Sequence, residues 1–209
     1  MNLKDRVDPS RAAVIVVDVQ NDFCHPEGSW GRSGKNMDFI NEMIPALQKF
    51  VTAARRQNVP IIFIQTTHSD ADSTSAWLSR KSQSSGDPNQ TCVEGTWGCG
   101  FYGVLPEEGD LVVRKHRYSA FVGTNLAQIL NALGRDSILA TGVATNVCVE
   151  STVRDGLNRD FHILLVSDCT ATTSDAAQKS TEENIRNAFG WVDSSKVVCS
   201  IWDSLTVVK

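Results

Sequence analysis

The chain has 209 residues, of which 41% are apolar and 21% charged, and its formal net charge at pH 7 is −4. This length favours one domain, residues 1–209, with a single sizeable core, and a mildly acidic composition without a basic run argues against a nucleic-acid partner. The apolar runs are shorter than the roughly 18 residues that cross a membrane, and the first residues lack the apolar core of a signal peptide. We therefore expect a cytoplasmic protein that binds no membrane.

Apolar runs of strand length alternate with helical patterns along the chain. Ala13–Val19 is rich in β-branched residues on both faces, which is typical of a buried strand. Apolar residues at helical spacing predict a helix over about Ile40–Asn58, with Pro45 in its first turns. Pro60–Gln65 is predicted as the next strand, and a Ser/Gly/Thr-rich stretch follows at 67–109. Loops of that length in compact domains are usually functional.

The second half continues the alternation. The predicted elements are, in order, strand Leu111–Arg114, helix Thr124–Leu133, strand Ile138–Val143, a helix after Thr145, strand Ile163–Val166, a helix over about Asp175–Phe189, and a last strand near Val197–Ser200. This alternation predicts an α/β fold, a Rossmann-like three-layer α/β/α sandwich with a roughly six-stranded, mainly parallel sheet. Sites in such folds form at the carboxyl ends of the strands.

Three polar residues stand at predicted strand ends. Asp18 closes the first strand, Lys115 follows the third, and Cys148 opens the helix after the fourth. A thiol in the first turn of a helix is expected to have a lowered pKa, because the helix dipole favours the thiolate. A nearby carboxylate can take the thiol proton and return it to a leaving amine, and a lysine beside both favours their charged forms.

Each of these residues also has a purely structural interpretation. Cysteine is often buried as core filler, Asp18 can belong to a turn with its Asx neighbours, and Lys115 lies in a basic run typical of a solvated patch. His116, next to Lys115, keeps a Cys–His arrangement open as an alternative. The remaining cysteines are expected to be reduced thiols, and the absence of a Cys-x-x-Cys or His-x-x-x-His pair argues against structural zinc.

Three ordered motifs carry a resemblance to a known family. They are Val16–Phe23 (VVDVQNDF), Lys115–Phe121 (KHRYSAF) and Thr141–Gly156 (TGVATNVCVESTVRDG). From about residue 10 to 200, the chain resembles the isochorismatase-like cysteine hydrolases. This superfamily includes nicotinamidases, carbamoylsarcosine amidases, and ureidoacrylate and biuret amidohydrolases.

The resemblance implies a role for each of the three polar residues. Asp18 is the implied general acid and base, Lys115 the orienting cation, and Cys148 the nucleophile. A non-proline cis peptide before Ala144 is also implied, which would turn the backbone N–H groups of Ala144 and Cys148 toward one oxyanion. A homo-oligomer, dimer or tetramer, is common in the family and is expected here.

The details of the motifs separate the subfamilies. Nicotinamidases carry an Asp-x-His metal motif after the second strand, whereas Gln65–Asp72 here lacks that spacing, and His68 with Asp70 is a weak pair. We therefore predict no metal and no cofactor. The motif from Arg117 and the late Phe189–Val192 resemble the ureidoacrylate and biuret amidohydrolases more closely.

Candidate substrate contacts follow from these motifs and the nearby loops. Arg117 is suited to a substrate carboxylate or carbonyl, because its planar fork donates two hydrogen bonds. Gln20 and Asn21 either donate to a ureido carbonyl or complete the turn after Asp18. The other candidates are aromatic residues of the motifs and loops, namely Trp30, Tyr118 and Phe121, and with less support Trp77 and Trp97.

The predicted function is a cysteine-dependent amidohydrolase. It would cleave a C–N bond of a small amide or ureide through a thioester, with release of ammonia or carbamate. One alternative is a nicotinamidase-type or isochorismatase-type hydrolase, although isochorismatases cleave a vinyl ether and need no nucleophilic cysteine. Another is a non-catalytic binding protein that kept the fold.

Overall fold

The fold is built on one parallel sheet of six strands. The computed structural model describes residues 1–80 and 91–206, and all strand pairs in this part are parallel, in the order β3-β2-β1-β4-β5-β6. The strands are β1 Ala12–Val17, β2 Ile61–Thr66, β3 Leu111–Lys115, β4 Ser137–Val143, β5 His162–Ala171 and β6 Trp191–Asp193. The predicted α/β class and the parallel sheet are thus confirmed.

Helices cover both faces of this sheet. The α-helices are α1 Leu3–Arg6, α2 Asn21–Cys24, α3 Ser29–Arg32, α4 Asp38–Arg56, α5 Ser75–Ser79, α6 Leu126–Ala132, α7 Glu150–Leu157, α8 Asp175–Asn184 and α9 Ser195–Thr206. A 3₁₀ turn spans Trp97–Cys99, and π-helical turns span Thr145–Val149 and Ile185–Phe189. Of the 67–109 stretch, positions 81–90 lie outside the described residues.

Two apolar layers form the core because side chains alternate along the buried strands. In β1, Ala12, Val14 and Val16 pack toward α4 and α9, while the intervening residues pack toward α6 and α7. All six residues of β1 are fully buried. This is the three-layer arrangement that the β-branched run predicts.

The chain end differs from the prediction. The residues near Val197–Ser200 belong to helix α9, and the sixth strand is Trp191–Asp193. Val198 and Trp202 are four residues apart and both buried, which is helical spacing. Trp202 stacks on Phe50 with ring centroids 5.4 Å apart, and its indole N–H donates to the Val7 carbonyl at 2.6 Å.

Two further elements shift their boundaries. Helix α4 begins at Asp38, so Pro45 lies eight residues into the helix rather than in its first turns. Strand β5 runs to Ala171, well beyond the predicted end at Val166, and its pairing with β4 contains an irregularity. The longer β5 places Thr172 and Thr173 beside the end of β4, where they border the cavity described below.

The carboxyl ends of β1 and β4 approach closely beside the candidate site. Gly142 in β4 has φ +100°, and a Cβ added there would lie 2.0 Å from the Val17 carbonyl oxygen. Only glycine fits this position. Asp18 itself has φ +52°, a left-handed conformation that is uncommon for a residue with a side chain. Within residues 1–80 and 91–206, no helix has the length and apolar character to cross a membrane.

Candidate active site

Asp18, Lys115 and Cys148 meet at the carboxyl edge of the sheet. Lys115 ends β3, Asp18 follows β1, and Cys148 lies in the π-helical turn after β4. Strand β2 separates β3 from β1, and its last residue, Thr66, links the two charged groups. Lys115 Nζ lies 2.7 Å from Asp18 Oδ2 and donates to Thr66 Oγ1 at 2.6 Å, while Thr66 Oγ1 donates to Asp18 Oδ1 at 2.9 Å.

The ion pair of Asp18 and Lys115 is shielded from solvent. Both side chains are 1% exposed. Burial alone would lower the pKa of Lys115, but the adjacent Asp18 and Cys148 raise it above its ordinary value. The lysine is therefore a permanent cation, and it also donates to the Arg117 carbonyl at 2.9 Å.

One carboxylate oxygen of Asp18 retains acceptor capacity. Oδ2 is buried and, although Lys115 Nζ is close, no hydrogen bond of good geometry reaches Oδ2 from the described residues. The Cys148 thiol interacts with both Asp18 and Lys115. Asp18 Oδ2 can therefore accept a hydrogen bond from a further donor.

The thiol of Cys148 is protonated at rest, contrary to the sequence expectation of a lowered pKa. Burial raises the pKa of Cys148 to about 12; Lys115 opposes this shift and Asp18 adds to it. Desolvation therefore outweighs the lysine and the helix end. A nucleophilic thiolate at this position requires a base, and Asp18 is beside it.

The turn that carries Cys148 has an unusual backbone. The peptide Val143–Ala144 is cis, as the family resemblance implied, and Thr145–Val149 forms a π-helical turn. The Ala144 carbonyl accepts from the N–H groups of Val147 and Val149, at 3.0 and 3.2 Å, and not from Cys148 between them. Within the described part of the chain, the Ala144 N–H donates to no acceptor. An unpaired N–H in the turn that carries Cys148 is suited to bind an oxyanion.

A cavity of about 240 Å³ opens above these residues. Aromatic, hydroxyl and charged side chains line it, and the lining residues in the described ranges are Asp18, Phe23, Trp30, Lys35, Thr66, His68, Trp77, Arg80, Thr91, Lys115, Arg117, Tyr118, Val143, Ala144, Asn146, Val147, Cys148, Thr172 and Thr173. Among the candidate substrate contacts, Trp30, Arg117 and Tyr118 lie in this wall.

Gln20, Asn21 and Phe121 do not line the cavity. Gln20 is fully buried, donates to the carbonyls of Thr66 and Cys99, both at 2.9 Å, and accepts from the Thr66 N–H at 2.8 Å. Asn21 donates to the Trp97 carbonyl at 2.8 Å. Phe121 packs in the core against Phe161, with ring centroids 5.7 Å apart. These three side chains stabilise the structure around the site and do not form the cavity surface.

The cavity wall is strongly cationic. Among the residues that the structure describes, the lining has four cationic side chains, Lys35, Arg80, Lys115 and Arg117, and one carboxylate, Asp18. Arg80 lies over the Trp77 ring with its guanidinium carbon 3.5 Å from the centroid, and Arg117 approaches the same ring at 4.8 Å. An excess of positive charge in a chain of net charge −4 indicates an anionic ligand.

Several of these wall residues were missed in the sequence. Arg80 and Thr91 lie in the 67–109 stretch, which has no periodic pattern to interpret, and His68 was considered only with Asp70. His68 Nδ1 instead lies 3.2 Å from Asp72 Oδ1. In the described ranges, no group of three or more His, Cys, Asp or Glu residues is arranged to hold a metal ion, and the six cysteines are free thiols.

Comparisons with known proteins identify the relatives of this chain. A family model for the Isochorismatase domain matches residues 12–196. Ureidoacrylate amidohydrolase RutB of Methylobacterium radiotolerans is 32% identical over 199 residues, which cover 89% of this chain and 77% of that protein. The crystal structure of a cysteine hydrolase from Pseudomonas syringae pv. phaseolicola aligns with a TM-score of 0.83 and 28% identity, covering 95% of each chain. N-carbamoylsarcosine amidase of Thermoplasma acidophilum aligns at 0.72 and 26%, covering 88% of this chain and 96% of that one.

Proposed function

The chain belongs to the isochorismatase family of hydrolases, and we propose that it is a cysteine-dependent amidohydrolase that cleaves a C–N bond of a small anionic ureide. The observation that carries this proposal is the meeting of the Cys148 thiol with the Asp18–Lys115 ion pair on the floor of a cation-lined cavity. Two relatives of the chain are named ureidoacrylate amidohydrolases, which supports a substrate of the ureidoacrylate type.

Attack begins with proton transfer from Cys148 to Asp18 Oδ2. The thiolate forms a bond to the substrate carbonyl carbon, and the carbonyl oxygen becomes an oxyanion. The backbone N–H groups of Ala144 and Cys148 stabilise that charge. Lys115 keeps its positive charge throughout and stabilises the thiolate while it forms.

Collapse of the tetrahedral intermediate breaks the C–N bond. The leaving nitrogen takes the proton that Asp18 received from the thiol, so the carboxylate is restored and a thioester remains on Cys148. Asp18 then accepts a proton from a water molecule while the oxygen of that water attacks the thioester carbon. Cleavage of the S–C bond releases the acid or carbamate, and the proton returns to the sulfur.

The cationic wall accounts for an anionic substrate. Arg117 and Arg80 are held by Trp77 and by nearby acceptors: Arg117 donates to the Asp72 carbonyl at 3.1 Å, and Arg80 Nε donates to Tyr118 Oη at 3.0 Å. A substrate carboxylate at this wall would gain charge-assisted hydrogen bonds. Biuret, which is neutral, would gain none, so we place it below ureidoacrylate as a substrate.

The test is a hydrolysis panel on the purified protein. It compares ureidoacrylate, biuret, carbamoyl amino acids, nicotinamide and isochorismate, with detection of ammonia, carbamate-derived CO₂ and pyruvate. We expect turnover of the anionic ureides, abolished in Cys148→Ala. Cys169→Ala is the matched control, because Cys169 is also buried but does not line the cavity. Turnover that persists in Cys148→Ala, or release of pyruvate alone, would refute the proposal.

The assembly follows the family expectation, and the location follows the sequence expectation stated above. We propose a homo-oligomer, dimer or tetramer, in the cytoplasm. Light scattering coupled to gel filtration measures the oligomeric state, and a monomer at micromolar concentration would contradict it.

A further inference from the structure

His68 borders the cavity, yet the proposed hydrolysis gives it no step. It follows β2 by two residues, and its N–H and carbonyl are hydrogen bonded to Cys92 and Glu94, at 2.9 and 3.0 Å. The residue is 8% exposed, and its ring centroid lies 5.5 Å from that of Trp77. Backbone pairing and ring packing therefore fix the position of the imidazole.

Asp72 determines which ring nitrogen carries the hydrogen. Asp72 Oδ1 lies 3.2 Å from His68 Nδ1, and Oδ2 accepts from the N–H and Oγ of Ser69 at 2.8 and 2.9 Å. Burial would raise the pKa of Asp72, but hydrogen bonds from His68 and Ser69 lower it below its ordinary value. Because the carboxylate only accepts, His68 Nδ1 is the donor and Nε2 keeps a lone pair.

The imidazole is neutral near pH 7. Burial lowers the pKa of His68 below its ordinary value, and Arg80 and Lys115 disfavour a further positive charge; Asp72 opposes them only in part. His116 is the other titratable group against this pair: its Nδ1 lies 3.4 Å from Asp72 Oδ2 and donates to the Thr67 carbonyl at 2.8 Å.

His68 lines the cavity, whereas Asp72, which holds its Nδ1, does not. Nε2 is therefore the ring nitrogen that remains for a ligand. Nε2 makes no hydrogen bond with any described residue. The neighbouring side chains Arg80, Lys115 and Arg117 can only donate, which leaves His68 as a neutral acceptor among donors.

We propose that His68 determines specificity by accepting a hydrogen bond from an N–H of the ureide. The arginines hold the carboxylate at one end of the substrate, and His68 Nε2 selects a nitrogen that still carries hydrogen. This inference rests on the proposed function for the identity of the substrate.

Binding measured without turnover tests the inference. Calorimetric titration of Cys148→Ala protein compares ureidoacrylate with two analogues, each fully methylated at one ureide nitrogen. We expect at least one analogue to bind roughly 10-fold or more weakly than the parent ureide. Adding His68→Phe should remove that preference because the parent ureide binds less tightly, not because the analogue binds more tightly. His68→Gln, which retains an acceptor oxygen, should restore part of it.

The same titrations carry a pH readout that a structural role would not produce. Protonation of Nε2 turns the acceptor into a donor, so the preference for the parent ureide should be present near pH 8 and fall as the pH drops through the lowered pKa of His68. In His68→Gln the ratio of the Kd of the methylated analogue to the Kd of the parent ureide should not change with pH. His116→Gln is the matched control: it also removes a histidine beside Asp72, but one that does not line the cavity, and it should retain the preference.

Each result decides the inference. An equal preference with and without the His68→Phe substitution, or no binding of the parent ureide in either case, would overturn it. Turnover by the wild type is scored separately, so a protein that shows the His68-dependent preference but hydrolyses nothing refutes the proposed function and supports this assignment.

Discussion

The floor and the outer wall of the cavity are built in different ways. The floor residues are Asp18, Thr66, Lys115 and Cys148, and each is placed by the end of a strand or the turn directly after it. The outer-wall residues are His68, Trp77, Arg80, Arg117 and Tyr118, which come from the segments that follow β2 and β3. The floor is buried and internally hydrogen bonded, whereas the outer wall is mostly half-buried and held by ring contacts.

This difference assigns separate tasks to the two regions. A buried floor with internal hydrogen bonds keeps its side chains in fixed positions, as bond cleavage requires. A wall made of loop side chains changes its shape and charge with little effect on the sheet. Changes to the floor should therefore alter kcat or stability, and changes to the outer wall should alter KM.

Asp18→Asn should have the largest effect on turnover. Asparagine keeps the shape and the hydrogen bond from Thr66 but cannot take the Cys148 proton, so kcat should fall about 10³- to 10⁴-fold. Steady-state kinetics with circular dichroism measures the loss in folded protein. Asp22→Asn is the control, because Asp22 is a buried carboxylate that bonds to backbone N–H groups and does not line the cavity. A tenth of the wild-type kcat remaining in Asp18→Asn would contradict this role.

Lys115→Met should damage both chemistry and stability. Removal of the cation leaves Asp18 buried and unpaired, which should lower the free energy of unfolding by about 3–5 kcal/mol. Urea denaturation measures that change, and kcat should drop about 100-fold or more because the thiolate loses its counter-charge. Unaltered stability would show that the ion pair is not integral to the floor.

Arg117→Gln and Arg80→Gln should act on substrate affinity. Each removes charge-assisted hydrogen bonds to a carboxylate, so KM for ureidoacrylate should rise roughly 10- to 50-fold with kcat within about 3-fold. The neutral amide of the same substrate should show no rise. Arg56→Gln is the control, since Arg56 is exposed on α4 and does not line the cavity. An equal rise in KM for the acid and for the amide would show that these arginines do not bind the carboxylate.

Gln20→Leu should have the smallest effect on catalytic parameters. Its three hydrogen bonds to Thr66 and Cys99 lie beneath the site, so the free energy of unfolding should fall by about 1–3 kcal/mol while KM stays within about 3-fold. Paired urea denaturation and kinetics measure both values. A rise in KM as large as that expected for Arg117→Gln would show that Gln20 contacts the substrate.

Except for Thr66, the floor was predictable from the sequence because buried parallel strands have a recognisable pattern. Asp18 is the first charge after a β-branched run, Lys115 ends another, and Cys148 follows a third. Strand ends meet at one edge of the sheet, so sequence position translated directly into proximity. The raised pKa of Cys148 was not predictable, because it depends on how completely the surrounding loops exclude water.

The outer wall was predictable only in part. The sequence indicated Arg117, Tyr118 and Trp77 as candidates, whereas Arg80 contacts the cavity only through the path of a loop whose residues have no period. Gln20 follows Asp18 by two residues, and the backbone between them includes the left-handed conformation of Asp18. The Gln20 side chain then bonds to the backbone of Thr66 and does not reach the cavity. Helix α9 was misread as a strand because a short apolar run fits both structures, and only Trp202 at helical spacing from Val198 distinguishes them.

The hydroxyl of Thr66 gives the floor a fixed polarity. Lys115 can only donate, so Thr66 Oγ1 accepts from it and must direct its own hydrogen to Asp18 Oδ1. The chain of donors thus runs one way, from ammonium to hydroxyl to carboxylate, and never reverses while Lys115 is charged. In the proposed mechanism, Oδ1 thus keeps its hydrogen bond from Thr66 while Oδ2 receives the proton from Cys148 and passes it on. Thr66→Val would remove the hydrogen bond to Oδ1, and both carboxylate oxygens would then be able to accept the proton.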